Sequence, residues 1–401
     1  MHLSELDLGD LGLDRGGHLL VKRALRAIEV GDALRVQGLA PELAVHLRGW
    51  CRAQGHELVS VETGEQTRAV LRRGGAQDGR WRGAQRAGEA DRTGAGAIAE
   101  HAPAHWGLAA RGATVEAGAP DIAFALSHRD DIWADEAAQL YAQAAAAQWD
   151  PATAIPWDTE FSIADDLEDA IVQVMTYLIE NETAALIVPT RFLGQVHPHF
   201  REVMQLLAIQ AADEARHIEV FTRRACLRRP RLGLSTAGGQ ASLKTLLDEP
   251  DFALASFLLS VLGEGSFLSL LWFLHEHAPD PVTREVARLT AQDEARHVAF
   301  GLAHLRRHAN LDPSLRGRLA LAVERRHAEL QHTAGLNEEV FDALLLLAAG
   351  GWAPDALRRG HEAVQGLVRD MDDGRRKRLA RLGFGAQEAE ALSALHTRNF
   401  M

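Results

Sequence analysis

The pentapeptide Asp-Glu-Ala-Arg-His occurs twice in this chain, at 213–217 and 293–297. In each copy a glutamate and a histidine stand three residues apart: Glu214 with His217, and Glu294 with His297. On an α-helix that spacing puts carboxylate and imidazole on one face. The same faces carry Leu207, Ala211, Ile218 and Phe221 in the first copy, and Val286, Ala291 and Val298 in the second. Both polar groups therefore point inward with the apolar stripe. An inward carboxylate needs a partner charge or must hold a proton, and a metal ion supplies such a charge.

Two Glu-x-x-His helices become a dinuclear site when two further helices each add a glutamate. Glu182 lies 32 residues before Glu214, and Glu264 lies 30 before Glu294. A helical hairpin needs about that separation, with roughly 15 residues from each ligand to the turn at a rise of about 1.5 Å per residue. Glu182 sits on a stripe of Met175, Leu178, Ile179, Ala185, Leu186 and Pro189; Glu264 sits among Phe257, Val261, Phe267, Leu268 and Leu271. The segments "ETAALIVPTRFL" and "EGSFLSLLWFL" parallel one another, so the second half reads as an imperfect copy of the first. Glu180 competes with Glu182 as first ligand, but it lies about 200° around the helix, and stripe and repeat favour Glu182. The alternative to a metal site is a set of Glu/Arg/His salt bridges in a plain bundle; two matched copies with matched upstream glutamates argue against it.

With these residues, the stretch from about 121 to 400 resembles the ferritin-like superfamily, in particular its diiron oxidase and oxygenase branch. The resemblance implies an all-α four-helix bundle with extra C-terminal helices and the metal ligands Glu182, Glu214, His217, Glu264, Glu294 and His297. It further implies that Asp213 hydrogen-bonds His297 and that Asp293 hydrogen-bonds His217, with Arg216 and Arg296 paired to those outer carboxylates. The N-oxygenase relatives carry a third histidine one turn before the last motif, where this chain has Thr290. A stable tyrosyl radical is not expected, because Tyr141 and Tyr177 are the only tyrosines and Tyr177 lies five residues from Glu182, off its face.

Four carboxylates and two imidazoles suit Fe(II), Mn(II) or Zn(II), and their four negative charges balance two divalent ions. The expected cofactor is a pair of Fe ions, or Mn/Fe, with O₂ as co-substrate. The expected activity is oxidation or oxygenation of a small organic substrate, by a non-haem oxidoreductase. Iron handling (ferroxidase, storage or sensing) and a metal-stabilised interaction scaffold are the alternatives. The sequence shows no flavin, nicotinamide or iron–sulfur motif, so repeated turnover implies an external electron-transfer reductase. His197, His199, His275 and His277 fall in the two interhelical connections and read as surface residues; Trp272, Phe273, Phe192 and Phe267 read as core or channel lining.

The elements ahead of the bundle differ in character. Residues 1–73 read strand, helix, strand, helix, strand, strand, with strands near 32–38, 57–63 and 67–73, enough for a small two-layer α/β sandwich. On "GDALRVQG" and "LRGWCRAQGHEL" this domain resembles the TusA-like sulfur-carrier family, but Asp14 stands where that family's Cys-Pro-x-Pro cysteine belongs. Cys51, beside Trp50 on an apolar helix face, reads as a core residue. The expected role is partner docking without sulfur transfer. Residues 74–120, rich in Gly, Ala and Arg, read as a linker. The bundle is expected over 121–310 and its helical extension over 311–401, with helices near "LRGRLALAVERRHAEL", "EEVFDALLLLAAG", "PDALRRGHEAVQGLVRDM" and "GAQEAEALSALH".

Composition sets the outer limits. Hydrophobic residues make up 47% and charged residues 24% of 401, ordinary for a globular protein with a large core. A formal charge of −12 argues against nucleic acid and anionic membranes as partners. The basic run "RRACLRRPR" at 223–231 reads as a solvated helix end. Two distant cysteines build neither a disulfide framework nor a cysteine zinc site. The acidic start lacks a signal-peptide core, and no apolar run reaches about 18 uninterrupted residues. A cytoplasmic, membrane-free setting is the expectation.

Overall fold

The computed structural model describes residues 4–91, 96–331 and 338–395. The chain divides into two compact units, Met1–Ala87 with Gly112–Asp121, and Gly88–Arg111 with Ile122–Met401.

The first unit is a two-layer α/β sandwich whose elements follow the expected order: β1 (Ser4–Asp7), α1 (Gly17–Arg26), β2 (Ala33–Gly38), α2 (Leu43–Gln54), β3 (Glu57–Glu62) and β4 (Thr67–Arg72). The sheet order is β1-β2-β4-β3, with β1 and β2 parallel and the other pairs antiparallel. Alternation along β2 and β4 turns Leu34, Val36, Ala69 and Leu71 inward, against Val21, Leu25, Leu43, Leu47 and Cys51 from the two helices. Gly55 ends α2 at φ 71°, a left-handed cap that glycine adopts without strain. Asp14 is exposed on a short turn before α1. Cys51 is buried, and burial pushes its thiol up to about 11, so it is a packing residue and not a nucleophile at neutral pH.

The segment read as a linker carries structure of its own. Residues beyond 73 add α3 (Ala76–Arg80), β5 (Gln85–Arg86) and β6 (Thr114–Val115) to the first unit, and Arg80 pairs with Glu116 at 2.9 Å. The stretch Gly88–Arg111 belongs to the second unit, where Ala97, Ile98 and Ala102 enter the core and Arg111 makes a buried ion pair with Glu202. Small buried residues and ion pairs specify this irregular chain, and neither leaves a periodic signature.

The second unit is helical: α4 (Arg129–Ile132), α5 (Ala137–Ala146), α6 (Asp165–Leu193), α7 (Arg201–Ala225), α8 (Ala237–Leu247), α9 (Phe252–Ser256), a π-helical segment (Phe257–Glu264), α10 (Gly265–His277), α11 (Pro281–Leu311), α12 (Leu315–Leu330), α13 (Glu338–Ala349), α14 (Pro354–Arg381) and α15 (Ala386–Ala394). Helices α6 and α7 pack along each other as one hairpin; the π segment with α10 packs on α11 as the second; α7 and α11 close the two hairpins together. Asp165, Asp166 and Glu168 open α6, placing negative charge at the positive end of its dipole. Asp280 caps α11 by accepting from the Thr283 N–H at 2.8 Å, with Pro281 in the first turn. The helices α12 to α15 belong to the same unit as the bundle.

Fully buried Phe192, Phe200, Phe221 and Phe257 dominate the core, each stabilising by about 1.5–3 kcal/mol relative to exposure. Two stretches, Asp165–Leu193 and Phe252–His277, are long and apolar enough to cross a membrane by length and composition. Of their most apolar windows, 67% and 83% are buried inside the protein itself. Arg224, from the basic run, is not solvated. It is fully buried and binds both oxygens of Glu168 at 2.9 and 3.0 Å, Asp280 at 2.9 Å and the Thr283 hydroxyl at 2.7 Å, tying α7 to α6 and α11.

Candidate metal centre

Each of the four core segments delivers its carboxylate to one buried point. Glu182 comes from α6, Glu214 and His217 from α7, Glu264 from the end of the π segment, and Glu294 and His297 from α11. They form two overlapping groups able to hold metal ions: Glu182, Glu214, His217 and Glu294, and Glu214, Glu264, Glu294 and His297. Glu214 and Glu294 belong to both groups. Within each group, one ligand atom per residue lies within 4.8 Å of all the others. Glu180 is half-buried and outside both groups, whereas Glu182 stands in the first.

The imidazoles turn their Nδ1 atoms inward. His217 Nδ1 stands 3.1 Å from Glu214, 3.2 Å from Glu294 and 3.6 Å from Glu182; His297 Nδ1 stands 3.0 Å from Glu214 and 3.4 Å from Glu294. Their Nε2 atoms face outward, His217 to Asp293 at 3.2 Å and His297 to Asp213 at 3.3 Å. The two contacts form a crossed pairing, and once the Nδ1 protons are displaced by cations they would hold the remaining imidazole protons on Nε2.

Several of the inward-facing atoms are orphaned. Glu214 Oε1, Glu264 Oε2, both oxygens of Glu294 and Nδ1 of His297 are buried without an aligned hydrogen bond. Groups this close that fail to bond one another aim at shared points between them. Buried carboxylate oxygens without partners are costly, and a cation pair satisfies all of them at once. The residues fit two metal ions.

Charge in the metal-free site is balanced by protons. Burial, then repulsion from Glu294 and Glu214, holds the Glu182 carboxyl well above its ordinary range; burial and the same two neighbours do so for Glu264. Burial alone lowers His217 and His297. The carboxylates around them, Asp293 and Glu182 foremost for His217 and Glu214 and Glu294 for His297, outweigh it and hold both imidazoles well above their usual value. Such groups stabilise the metal-free fold at low pH and lose that contribution as pH rises through their folded-state values. Cations must displace the same protons, each worth about tenfold in apparent affinity per pH unit. Thermal stability of the metal-free protein should therefore fall as pH rises above the ordinary imidazole range, while its affinity for Zn(II) rises. A flat affinity across that range contradicts this balance.

Several residues around the site carried no sequence signal. Gln148 and Trp149, after α5, donate to Asp213 and Asp293 respectively, each at 2.8 Å, and Trp149 stacks under Arg216 at 4.6 Å. Arg216 itself binds Asp213 at 2.5 Å and Asp293 at 2.8 Å, and Arg296 pairs with Asp293, as expected. Gln210, one turn before Glu214, donates to Glu264 at 3.1 Å. Its counterpart one turn before Glu294 is the buried Thr290, whose hydroxyl makes no hydrogen bond. That repeat position was the available clue to Gln210.

The π-helix was also unforeseen. Gly263 and Gly265 flank Glu264 with poor helix formers, and neighbouring helices exploit the missing side chains. A Cβ on Gly265 would collide with the guanidinium of Arg378 from α14, and one on Gly301 of α11 would lie 2.7 Å from Ser260 Cβ. Arg378, buried, donates from Nε to the Val261 carbonyl at 2.6 Å within the π segment. Its neighbour Arg375 reaches the Ser266 hydroxyl at 3.4 Å. The C-terminal helices thus hold the register that aims Glu264. Since Glu264 serves only one ligand group, Arg378→Met should weaken one cation by about tenfold or more, as loss of an outer partner does at other metal sites, and leave the other in place. Cobalt(II) titration followed by visible absorption checks this; equal loss of both cations contradicts it.

Cavities beside the ligands are small. One of about 10 Å³, room for about one water, is lined by Asn181, Glu182, Leu259, Glu264, Phe267 and Glu294. A second, of about 20 Å³, is walled by Pro189, Phe192 and Phe252, reaches Gln210 and Ser260, and shares Leu259 with the first. Phe267 and Phe192 therefore line these spaces, whereas Trp272 is 45% exposed and not core. Tyr177 is buried behind Phe267, stacked on it at 5.9 Å, and burial pushes its phenol up. His197 and His199 are buried, not surface residues: His199 Nε2 accepts from the Ala99 N–H at 2.9 Å, and His197 Nδ1 from the His199 N–H at 3.0 Å. They anchor the irregular segment and lie outside the ligand groups. His275 and His277 are half-buried at the end of α10.

No protein-family model matches the chain, and no curated protein matches it. Among solved structures it is similar to an R2-like ligand-binding oxidase from Sulfolobus acidocaldarius, with 16% identity and a TM-score of 0.42 over 63% of this chain and 93% of that one. It is also similar to a Synechococcus protein with aldehyde deformylating oxidase activity, with 18% identity and a TM-score of 0.41 over 57% and 96%. A third is a point mutant of an R2-like ligand-binding oxidase with an aerobically reconstituted Mn/Fe cofactor, with 17% identity and a TM-score of 0.41 over 66% and 94%. Likenesses this low assign nothing by themselves. What the site can do rests on its own side chains.

Proposed function

We propose that the chain is a dinuclear non-haem metal protein of the ferritin-like kind, a diiron or Mn/Fe oxidoreductase that uses O₂ to oxidise or oxygenate a small organic substrate. The observation that carries this is the pair of buried four-residue groups sharing Glu214 and Glu294, in which Glu214 Oε1, Glu264 Oε2, both Glu294 oxygens and His297 Nδ1 make no hydrogen bond. When bound, two redox-active cations supply the electrons that dioxygen takes up.

The chain's own residues do the rest. Glu214 and Glu294, common to both groups, would be shared by two cations, while Glu182 with His217 and Glu264 with His297 would complete one set each. Asp293 and Asp213 keep the imidazole protons on Nε2. Gln210 restrains Glu264 on one side of the small cavity. Leu259 and Phe267 supply the apolar wall beside Glu182, Glu264 and Glu294. An external reductase completes repeated turnover, and the N-terminal unit is a candidate docking module for it.

Anaerobic protein loaded with two Fe(II) per chain should consume O₂ rapidly on mixing, and Glu214→Ala should not. Absence of oxygen uptake by the loaded wild type overturns the proposal. Ferric mineral growing beyond two irons per chain replaces it with iron storage.

A further inference from the structure

A cavity of about 210 Å³ opens between the end of α8 and α12, apart from the Glu/His cluster, lined by Thr245, Glu249, Leu258, Arg325, Arg326 and Glu329 among others. Arg326 is its floor and is only 6% exposed. Its Nε donates to the Thr245 hydroxyl at 2.8 Å and its Nη2 to the Ser242 hydroxyl at 2.7 Å. Among the described residues no carboxylate lies within ion-pair distance of it. A buried guanidinium hydrogen-bonded to two hydroxyls, with its nearest charged influence, Glu329, beyond ion-pair distance, is costly, and an anion is the partner that relieves it.

The other charges on the walls are already spent, with one exception. Arg325 pairs with Glu249, and Asp248 pairs with Lys244. Glu329, exposed at the rim, has no ion pair among the described residues. Arg326 and Glu329 stand three apart on α12, a spacing at which opposite charges usually meet, yet they face the same cavity separately. One cation at the floor and one anion at the rim complement a ligand carrying both signs. Three carboxylates on the walls repel a dianion such as phosphate, and Leu258 and Ala322 leave room for a short apolar group.

We propose that this cavity binds a small zwitterion of the amino-acid class, its carboxylate on Arg326 and its ammonium on Glu329. Calorimetric titration of the full-length, metal-loaded chain with glycine, alanine, acetate, methylamine and inorganic phosphate tests it. Glycine and alanine should bind one per chain, with acetate and methylamine about tenfold weaker or worse, the scale of one charged hydrogen bond. Arg326→Gln should abolish glycine binding. Glu329→Gln, on the exposed rim, should reduce glycine to the level of acetate at unchanged melting temperature, and it serves even if the Arg326 variant fails to fold. No amino-acid binding, acetate equal to glycine, phosphate tighter than glycine, or a Glu329→Gln chain that binds glycine as before overturns the proposal.

Discussion

Glu214→Ala is expected to cost the protein both cations, whereas Glu182→Ala or Glu264→Ala costs one. The difference follows from membership: Glu214 stands in both ligand groups, and Glu182 and Glu264 stand in one each. Loss of an outer partner at a metal site lowers affinity by about 10–100-fold, so loss of a shared ligand should exceed that for both ions. The variant should remain folded. Removing a carboxylate from a metal-free cluster relieves part of the repulsion that raises Glu182 and Glu264. Metal analysis after anaerobic loading, with melting temperature as a control, separates the outcomes. A Glu214→Ala chain that still holds one ion tightly would mean that the two groups do not share it.

The largest stability effect should come from Arg224. Its guanidinium bridges Glu168 and Asp280 with no exposure to solvent, so Arg224→Met strands two buried carboxylates. Breaking a buried pair from one side costs about 3–5 kcal/mol. Arg229, five residues on, also pairs with two acids, Asp165 and Asp169, but at the surface, where such pairs are worth about 0–1 kcal/mol. Urea unfolding of Arg224→Met and Arg229→Met compares the two. Equal losses contradict the argument that burial, and not the number of partners, sets the cost.

The six residues that converge in the core were legible because inward-facing positions on helices are periodic. A carboxylate and an imidazole three apart, on a stripe, repeated with matched upstream glutamates, leave few arrangements for a bundle. The aspartates beside them followed from the resemblance, and the structure places Asp213 and Asp293 accordingly. What could not be read came from outside that periodicity. Gln148 and Trp149 reach the site from irregular chain beyond α5, and Arg378, on α14, lies more than a hundred residues after Glu264. The π segment depends on which neighbours fill the space beside Gly265 and Gly301, a tertiary fact. His197 and His199 looked like surface loop residues because the segment that buries them, 88–111, has no periodic pattern to announce it. In the first unit, alternation along β2 and β4 and helical spacing between the strands made the element order readable, while the added β5–β6 pair, two residues per strand, was too short to show.

The most direct measurement is iron content with Mössbauer spectroscopy on the wild-type chain loaded anaerobically with isotopically enriched Fe(II). The account predicts two high-spin ferrous ions per chain, in oxygen- and nitrogen-rich surroundings, that convert together to a coupled diferric pair in air. A single iron per chain, or two that oxidise independently and remain magnetically isolated, would contradict it.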